Sequence, residues 1–102
     1  MITLILITNN MAQIIKWEGT VTDVQPKNGT DFSLGELKEA VNGYIEILRT
    51  NDGRLLVCNE DGKLLRLDYN PVATILAHRL GIIAPADYIV GNVLVCNVNE
   101  IK

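Results

Sequence analysis

The stretch YIEILRTNDGRLLVCNEDGKLLRL, residues 44–67, decides the fold that the sequence predicts. Its β-prone runs are separated by two turn signals, Asn51-Asp52-Gly53 and Asp61-Gly62. Asp-Gly pairs between apolar runs are typical of β-hairpins, so the stretch predicts an antiparallel meander whose middle strand is the best protected. The predicted strands cover residues 44–49, 55–58 and 63–67.

The length of the first turn sets which side chains face each other across the meander. With a two-residue turn at Asp52-Gly53, Glu46 lies opposite Asn59, and with a three-residue turn the partners shift by one residue. In the first register Glu46, Asn59 and Tyr44 form a small polar patch on one sheet face. The sequence leaves both registers open.

This patch is the candidate ligand site, and it extends to polar residues further along the chain. The candidate ligand-binding residues are Tyr44, Glu46, Asn59, Glu60 and Asn70. The alternative interpretation is that these residues have structural roles only. In that case Asn59 caps a turn, Glu46 lies on an open sheet face, and Asn70 caps a helix. A concave pocket that gathers these side chains would distinguish the two.

Two helices are predicted from their end signals. Ser33 and Glu36 form a capping box, and Gly43 suits the left-handed position after the last turn, which predicts a helix over residues 34–42. Asn70 as N-cap and Pro71 at the first helical position predict a second helix to about Leu80. The single histidine, His78, lies in its last turn, where a positive charge complements the helix dipole.

The remaining β-prone runs complete an α+β fold. Residues 12–17 and 20–25 predict a hairpin, and residues 87–98 predict a final strand with a bulge or bend at Gly91. With a β-prone run at residues 2–8, the order is (β)ββαβββαβ. We expect a small, mostly antiparallel sheet with both helices on one of its faces.

The first ten residues are set apart from the rest. We interpret residues 1–10 as a gene-model extension or an edge strand, and residues 11–102 as a single α+β domain. Translation from Met1 and translation from Met11 both remain open.

Composition and charge exclude several classes of protein. The chain has 102 residues, and its nine Lys and Arg are scattered among twelve Asp and Glu, for a net charge of −3. Duplex nucleic-acid binders cluster basic residues, so we expect no such partner. The longest uncharged stretch, residues 1–15, is too short for a membrane span and lacks the basic start of a secretory signal, so we expect a cytoplasmic protein.

No familiar catalytic pattern is present in the sequence. It contains no phosphate-binding glycine loop, and Cys58 and Cys96 lack the spacing of a redox or zinc motif. Two separated cysteines without a secretion signal are typical of reduced core residues. We therefore expect no cofactor, no metal and no catalytic residue.

Several blocks in order resemble a known family. FSLGELKEAVNGYIEI, LLVCNEDGKLLRLDYNPVAT and IVGNVLVCN are similar to a small uncharacterised domain family found mainly in phages, plasmids and conjugative elements of bacteria. The resemblance begins at Met11 and leaves residues 1–10 unmatched. Asn42 replaces the first glycine of a pair usual in that family. No activity, cofactor or catalytic residue comes with the resemblance.

These observations predict a non-enzymatic accessory protein of a mobile element that binds a protein or a small molecule, with modulation of host defence as one use. One alternative is a small-ligand binder or undescribed enzyme that uses Glu46, Asn59, Glu60 and Asn70. Another is a homodimer in which an edge strand pairs with its own copy.

Overall fold

In the computed structural model, which describes residues 11–102, one antiparallel sheet carries a helix on each face. The elements in chain order are β1 (Ala12–Ile15), β2 (Val21–Val24), α1 (Leu34–Val41), β3 (Ile45–Arg49), β4 (Arg54–Asn59), α2 (Pro71–Arg79) and β5 (Val93–Asn97), followed by a 3-10 turn (Val98–Glu100). The strand order is β2-β1-β5-β4-β3. The predicted α+β class is confirmed, whereas the strand predicted at residues 2–8 lies outside the described residues.

The neighbouring inner strands β4 and β5 carry buried apolar side chains on both faces, so each face of the sheet needs a covering helix. Leu55 and Val57 pack with α1 on one face, whereas Leu56 and Cys58 pack with α2 on the other. The prediction that both helices share one face was therefore wrong. Continuous apolar runs such as Leu55–Cys58 are typical of strands that are covered on both sides. This run therefore indicated a helix on each face of the sheet.

The strand predicted at residues 63–67 does not form. Residues 61–66 instead make successive turns, in which Leu65 N–H donates to the Asp61 carbonyl at 2.8 Å and Leu67 N–H to the Gly62 carbonyl at 3.0 Å. The place beside β4 is taken by β5, whose side chains are buried on both faces. Leu64, by contrast, is 85% exposed, so this segment could not supply a central strand.

Both helices begin where their caps predicted. The Ser33 hydroxyl accepts from Glu36 N–H at 3.1 Å, and the Glu36 carboxylate accepts from Ser33 N–H at 2.9 Å. The left-handed residue that ends α1 is Asn42 (φ 61°) rather than Gly43. Asparagine tolerates this conformation better than most residues. Gly43 is required for a different reason, because a Cβ atom there would lie too close to the Asn59 side chain.

The turn between β3 and β4 holds three residues, 51–53, so the pairing follows the second of the two registers. Thr50 N–H donates to the Arg54 carbonyl at 3.1 Å, and Glu46 lies opposite Cys58. Asn59 lies opposite Ile45 and therefore on the other face from Glu46.

The predicted bend at Gly91 is confirmed, with φ at +75°, but the last strand begins only at Val93. Val90, before the bend, forms an isolated bridge with Tyr69. Within residues 11–102, no helix combines the length and apolarity that crossing a membrane requires.

Candidate ligand-binding cavity

A cavity of about 660 Å³ opens on the α2 side of the sheet, where β3 and β4 meet two irregular segments. The first segment, residues 59–64, follows β4, and the second, residues 82–90, follows α2. Small-molecule sites in proteins usually have volumes of about 300–1,000 Å³. The cavity is therefore large enough for a small organic ligand.

The inner wall of the cavity is mainly aliphatic. It is built by Leu48 and Cys58 from the sheet and by Ile82, Ile83 and Ile89 from the segment after α2. The Cys58 thiol donates to Glu46 Oε1 at 3.9 Å. Burial, followed by the neighbouring Glu46 carboxylate, raises the pKa of Cys58 to about 12. At neutral pH this side chain is a neutral thiol.

A lysine, an aspartate and a tyrosine meet at the mouth of the cavity. The Lys63 ammonium forms an ion pair with Asp87 and lies 4.4 Å from the centroid of the Tyr88 ring. Asp87 Oδ1 also accepts from Tyr88 N–H at 2.8 Å. The hydrogen bond from Lys63, followed by this backbone bond, holds the pKa of Asp87 below its usual range.

The segment that carries Asp87 is also tied to α2. His78 Nε2 donates to the Asp87 carbonyl oxygen at 2.8 Å. The histidine, placed in the last turn of α2 by the sequence, therefore has a partner. This bond fixes one wall of the cavity to the helix.

Negative charge predominates around the cavity. Among the described lining residues, Glu46, Glu60, Asp61 and Asp87 contribute four carboxylates, and Lys63 contributes the one cation. Glu46, Glu60 and Lys63 are exposed, so their interaction with an entering ion is screened by solvent and weakens as salt is added. The arrangement favours a ligand with a positive charge and an apolar part.

Asn59 lies at the edge of this cavity, but its side chain is already fully engaged. Nδ2 donates to the carbonyl oxygens of Val41 at 3.0 Å and Asn42 at 3.3 Å, and Oδ1 accepts from Asp61 N–H at 2.8 Å. The side chain thus joins the end of α1 to the end of β4. All three of these hydrogen bonds are made within the protein.

Asn70 has the same kind of role at the start of α2. Its side chain is fully buried, donates to the Ile15 and Gly91 carbonyl oxygens at 3.0 and 2.8 Å, and accepts from Ala73 N–H at 3.0 Å. It does not line the cavity.

Tyr44 is exposed and lies under the Lys38 ammonium, 4.9 Å from the ring centroid. The structure thus brings three of the five candidate residues, Glu46, Asn59 and Glu60, to the cavity, and leaves Tyr44 and Asn70 outside its lining. Sequence reasoning missed Lys63, Asp87 and Tyr88. Lys63 and Asp87 are 24 positions apart, in irregular segments that carry no motif.

Both cysteines are free and buried, on opposite faces of the sheet. Burial raises the pKa of Cys96 to about 12 as well. At pH 8 such a thiol holds on the order of a thousandfold less thiolate than an ordinary cysteine. We expect Ellman's reagent to react with neither thiol of the folded protein over minutes, and with both at once in 6 M guanidinium chloride. Rapid labelling of Cys58 without denaturant would show that the cavity opens far more than the structure indicates.

A second cavity, of about 400 Å³, lies on the α1 side of the sheet. Lys16 and Lys27 line it together with Glu36 and Glu39, so its charges are balanced. The Glu36 carboxylate is committed to the capping box and to Lys27 N–H, at 2.9 Å. Within residues 11–102, no group of three or more His, Cys, Asp or Glu is placed to hold a metal ion.

The sequence matches a family model over nearly its whole length. The model is described as a domain of unknown function (DUF3846), and the match covers residues 3–102. It therefore includes most of the segment 1–10 that the resemblance had left unmatched. No curated protein and no solved structure matches the chain.

Proposed function

The chain belongs to the DUF3846 family of domains of unknown function, and we propose that it is a non-enzymatic accessory protein of a mobile element that binds a small molecule. The ligand occupies the cavity between the sheet and the segment after α2. The setting in phages and plasmids, and with it a use in modulating host defence, is supported by the sequence resemblance alone. The protein acts in the cytoplasm, where buried free thiols persist.

The observation that carries this proposal is the cavity itself. Its wall is largely aliphatic, and a few polar groups, Glu46, Lys63 and Asp87, also line it. An apolar concavity with a small number of polar groups is the usual form of a ligand site. Among the two kinds of partner that the sequence leaves open, the cavity favours a small molecule over a protein.

The protonation states of Cys58 and Asp87 favour binding over catalysis by these two groups. The thiol of Cys58 is protonated at neutral pH because of its raised pKa, so it is a poor nucleophile. Asp87 has a lowered pKa and stays ionised, which removes it as a general acid. Cys58 and Asp87 are therefore poorly suited to these two catalytic roles, whereas both can contact a ligand.

A pair of alanines in one loop provides a test. Ala84 is exposed and lines the cavity, whereas Ala86 is exposed and does not. We expect Ala84→Trp to obstruct the cavity and Ala86→Trp to leave it open, with both proteins folded, because neither alanine is buried. The proteins are purified from cells that carry the mobile element and denatured, and the released metabolites are measured by mass spectrometry.

We expect one or more metabolites to be enriched on the wild-type protein and on Ala86→Trp, and to be at least tenfold lower on Ala84→Trp. Equal amounts on all three proteins would place the ligand elsewhere. If no metabolite were enriched on any of them, the small-molecule proposal would be wrong.

A further inference from the structure

We propose that the cavity recognises an organic ammonium group attached to an aliphatic chain, and that the protein's own Lys63 occupies this ammonium site when no ligand is bound. This inference rests on the proposed function and names the class of ligand. It is drawn from the contacts of Lys63 at the mouth of the cavity.

The contacts of Lys63 are those of an ammonium receptor. Its ammonium group pairs with the Asp87 carboxylate and lies 4.4 Å from the centroid of the Tyr88 ring. An aromatic face and a carboxylate together are the usual means by which proteins recognise alkylammonium ions. The structure thus shows a built site with an ammonium in it.

Lys63 is easily displaced from this position. Its side chain is 48% exposed and the Asp87 side chain 39%, and exposed ion pairs of this kind contribute little to stability. Lys63 also lies in the run of turns after β4 and not in a helix or strand. A competing ammonium can therefore take its place while Lys63 moves into solvent.

The remainder of the cavity suits the rest of such a ligand. Behind the mouth, Leu48, Ile82 and Ile83 offer an aliphatic wall for a hydrocarbon chain. The carboxylates of Glu46, Glu60 and Asp61 attract a cation and repel an anion. A neutral ligand would gain binding free energy from the aliphatic wall alone, and the binding of an anion would be weakened by repulsion from the carboxylates.

The test uses three probes of equal chain length: hexylamine, hexanol and hexanoate. Each is titrated into the ¹⁵N-labelled full chain, and dissociation constants are taken from amide shifts of the cavity residues. We expect hexylamine to bind at least about fivefold more tightly than either other probe, with the difference shrinking as salt is added.

Variants separate the ammonium site from general charge effects. Lys63→Met removes the internal competitor and should tighten hexylamine binding about fivefold, since a site that is already occupied lowers apparent affinity. Asp87→Asn and Tyr88→Leu should weaken it by a similar factor. Glu18→Gln, a charge change on the distant β1–β2 turn, should leave it unchanged.

The outcomes distinguish this inference from the proposed function. Hexanol or hexanoate binding as tightly as hexylamine, or Lys63→Met failing to tighten hexylamine, overturns the ammonium assignment but leaves the cavity as a ligand site. No cavity shift with hexylamine also overturns it. Shifts that persist in Ala84→Trp would contradict the cavity as the site for any of the three probes.

Discussion

Replacing Asn70 by alanine is expected to lower the free energy of unfolding by about 3 kcal/mol, the largest effect that we predict for a polar residue. The side chain is fully buried and joins three parts of the fold. It caps α2 through Ala73 N–H and donates to the carbonyl oxygens of Ile15 and Gly91. Removing it costs the cap, about 1 kcal/mol, and leaves two buried carbonyl groups without this donor, at about 1 kcal/mol or more each.

The measurement is urea unfolding followed by far-ultraviolet circular dichroism, with the slope of the transition checked to be unchanged. Asn70→Ser keeps an acceptor for Ala73 N–H but no amide donor, so it should recover about 1 kcal/mol. Asn99→Ala, at an exposed position, should change stability by less than about 0.5 kcal/mol. A loss below about 1 kcal/mol for Asn70→Ala would show that water or a local shift satisfies the two carbonyl groups.

The features that the sequence predicted well are those determined by residues close together in the chain. Ser33 with Glu36, and Asn70 with Pro71, placed the starts of both helices because a cap is a contact across three or four positions. The β3–β4 hairpin was also found. Its register depended on the length of one turn, which Asp52-Gly53 alone does not fix.

The errors concern contacts between distant parts of the chain. Residues 63–67 are β-prone, but the strand that pairs with β4 on this edge is β5, a more apolar run about 30 positions later. Propensity is a weak predictor when two segments compete for one partner. The cavity was missed for the same reason, because its mouth joins Lys63 to Asp87 across a helix and a loop.

The polar candidates Asn59 and Asn70 show how a ligand site and a structural one look alike in sequence. Both are asparagines beside a turn or helix start, and in the structure the hydrogen bonds of both side chains go to backbone groups of the protein itself. A carboxamide both donates and accepts, so it can join two chain ends as readily as it can hold a ligand. Only the positions of the surrounding carbonyl and N–H groups decide between the two.

The second large effect concerns Asn59 and Gly43, which we expect to be energetically coupled. A Cβ atom on Gly43 would lie 2.7 Å from Asn59 Nδ2, closer than side-chain atoms normally approach. Gly43 does not have a positive φ, so alanine is strained there by the neighbouring amide rather than by the backbone. We expect Gly43→Ala to cost about 2 kcal/mol, because the added methyl group displaces Asn59 from the end of α1.

Asn59→Ala alone should cost about 2–3 kcal/mol, since it leaves the Val41 and Asn42 carbonyl groups and Asp61 N–H without their partner. Once Asn59 is gone, no other heavy atom lies closer than 3.8 Å to the methyl group on residue 43, which is ordinary van der Waals contact. The Gly43→Ala change should then cost less than about 0.5 kcal/mol or even stabilise the fold, because alanine restricts the unfolded chain more than glycine does. The coupling in a double-mutant cycle should reach about 1.5 kcal/mol.

Gly53→Ala is the matched control for this cycle. Gly53 has φ at +85° and nothing within 4 Å of its missing Cβ, so alanine there is strained by the backbone alone. It should cost about 1 kcal/mol whether or not Asn59 is present, since the two positions share no contact. If Gly43→Ala instead cost the same in the wild type and in Asn59→Ala, the glycine would be required by backbone conformation, and Asn59 would not be the neighbour that excludes a side chain at residue 43.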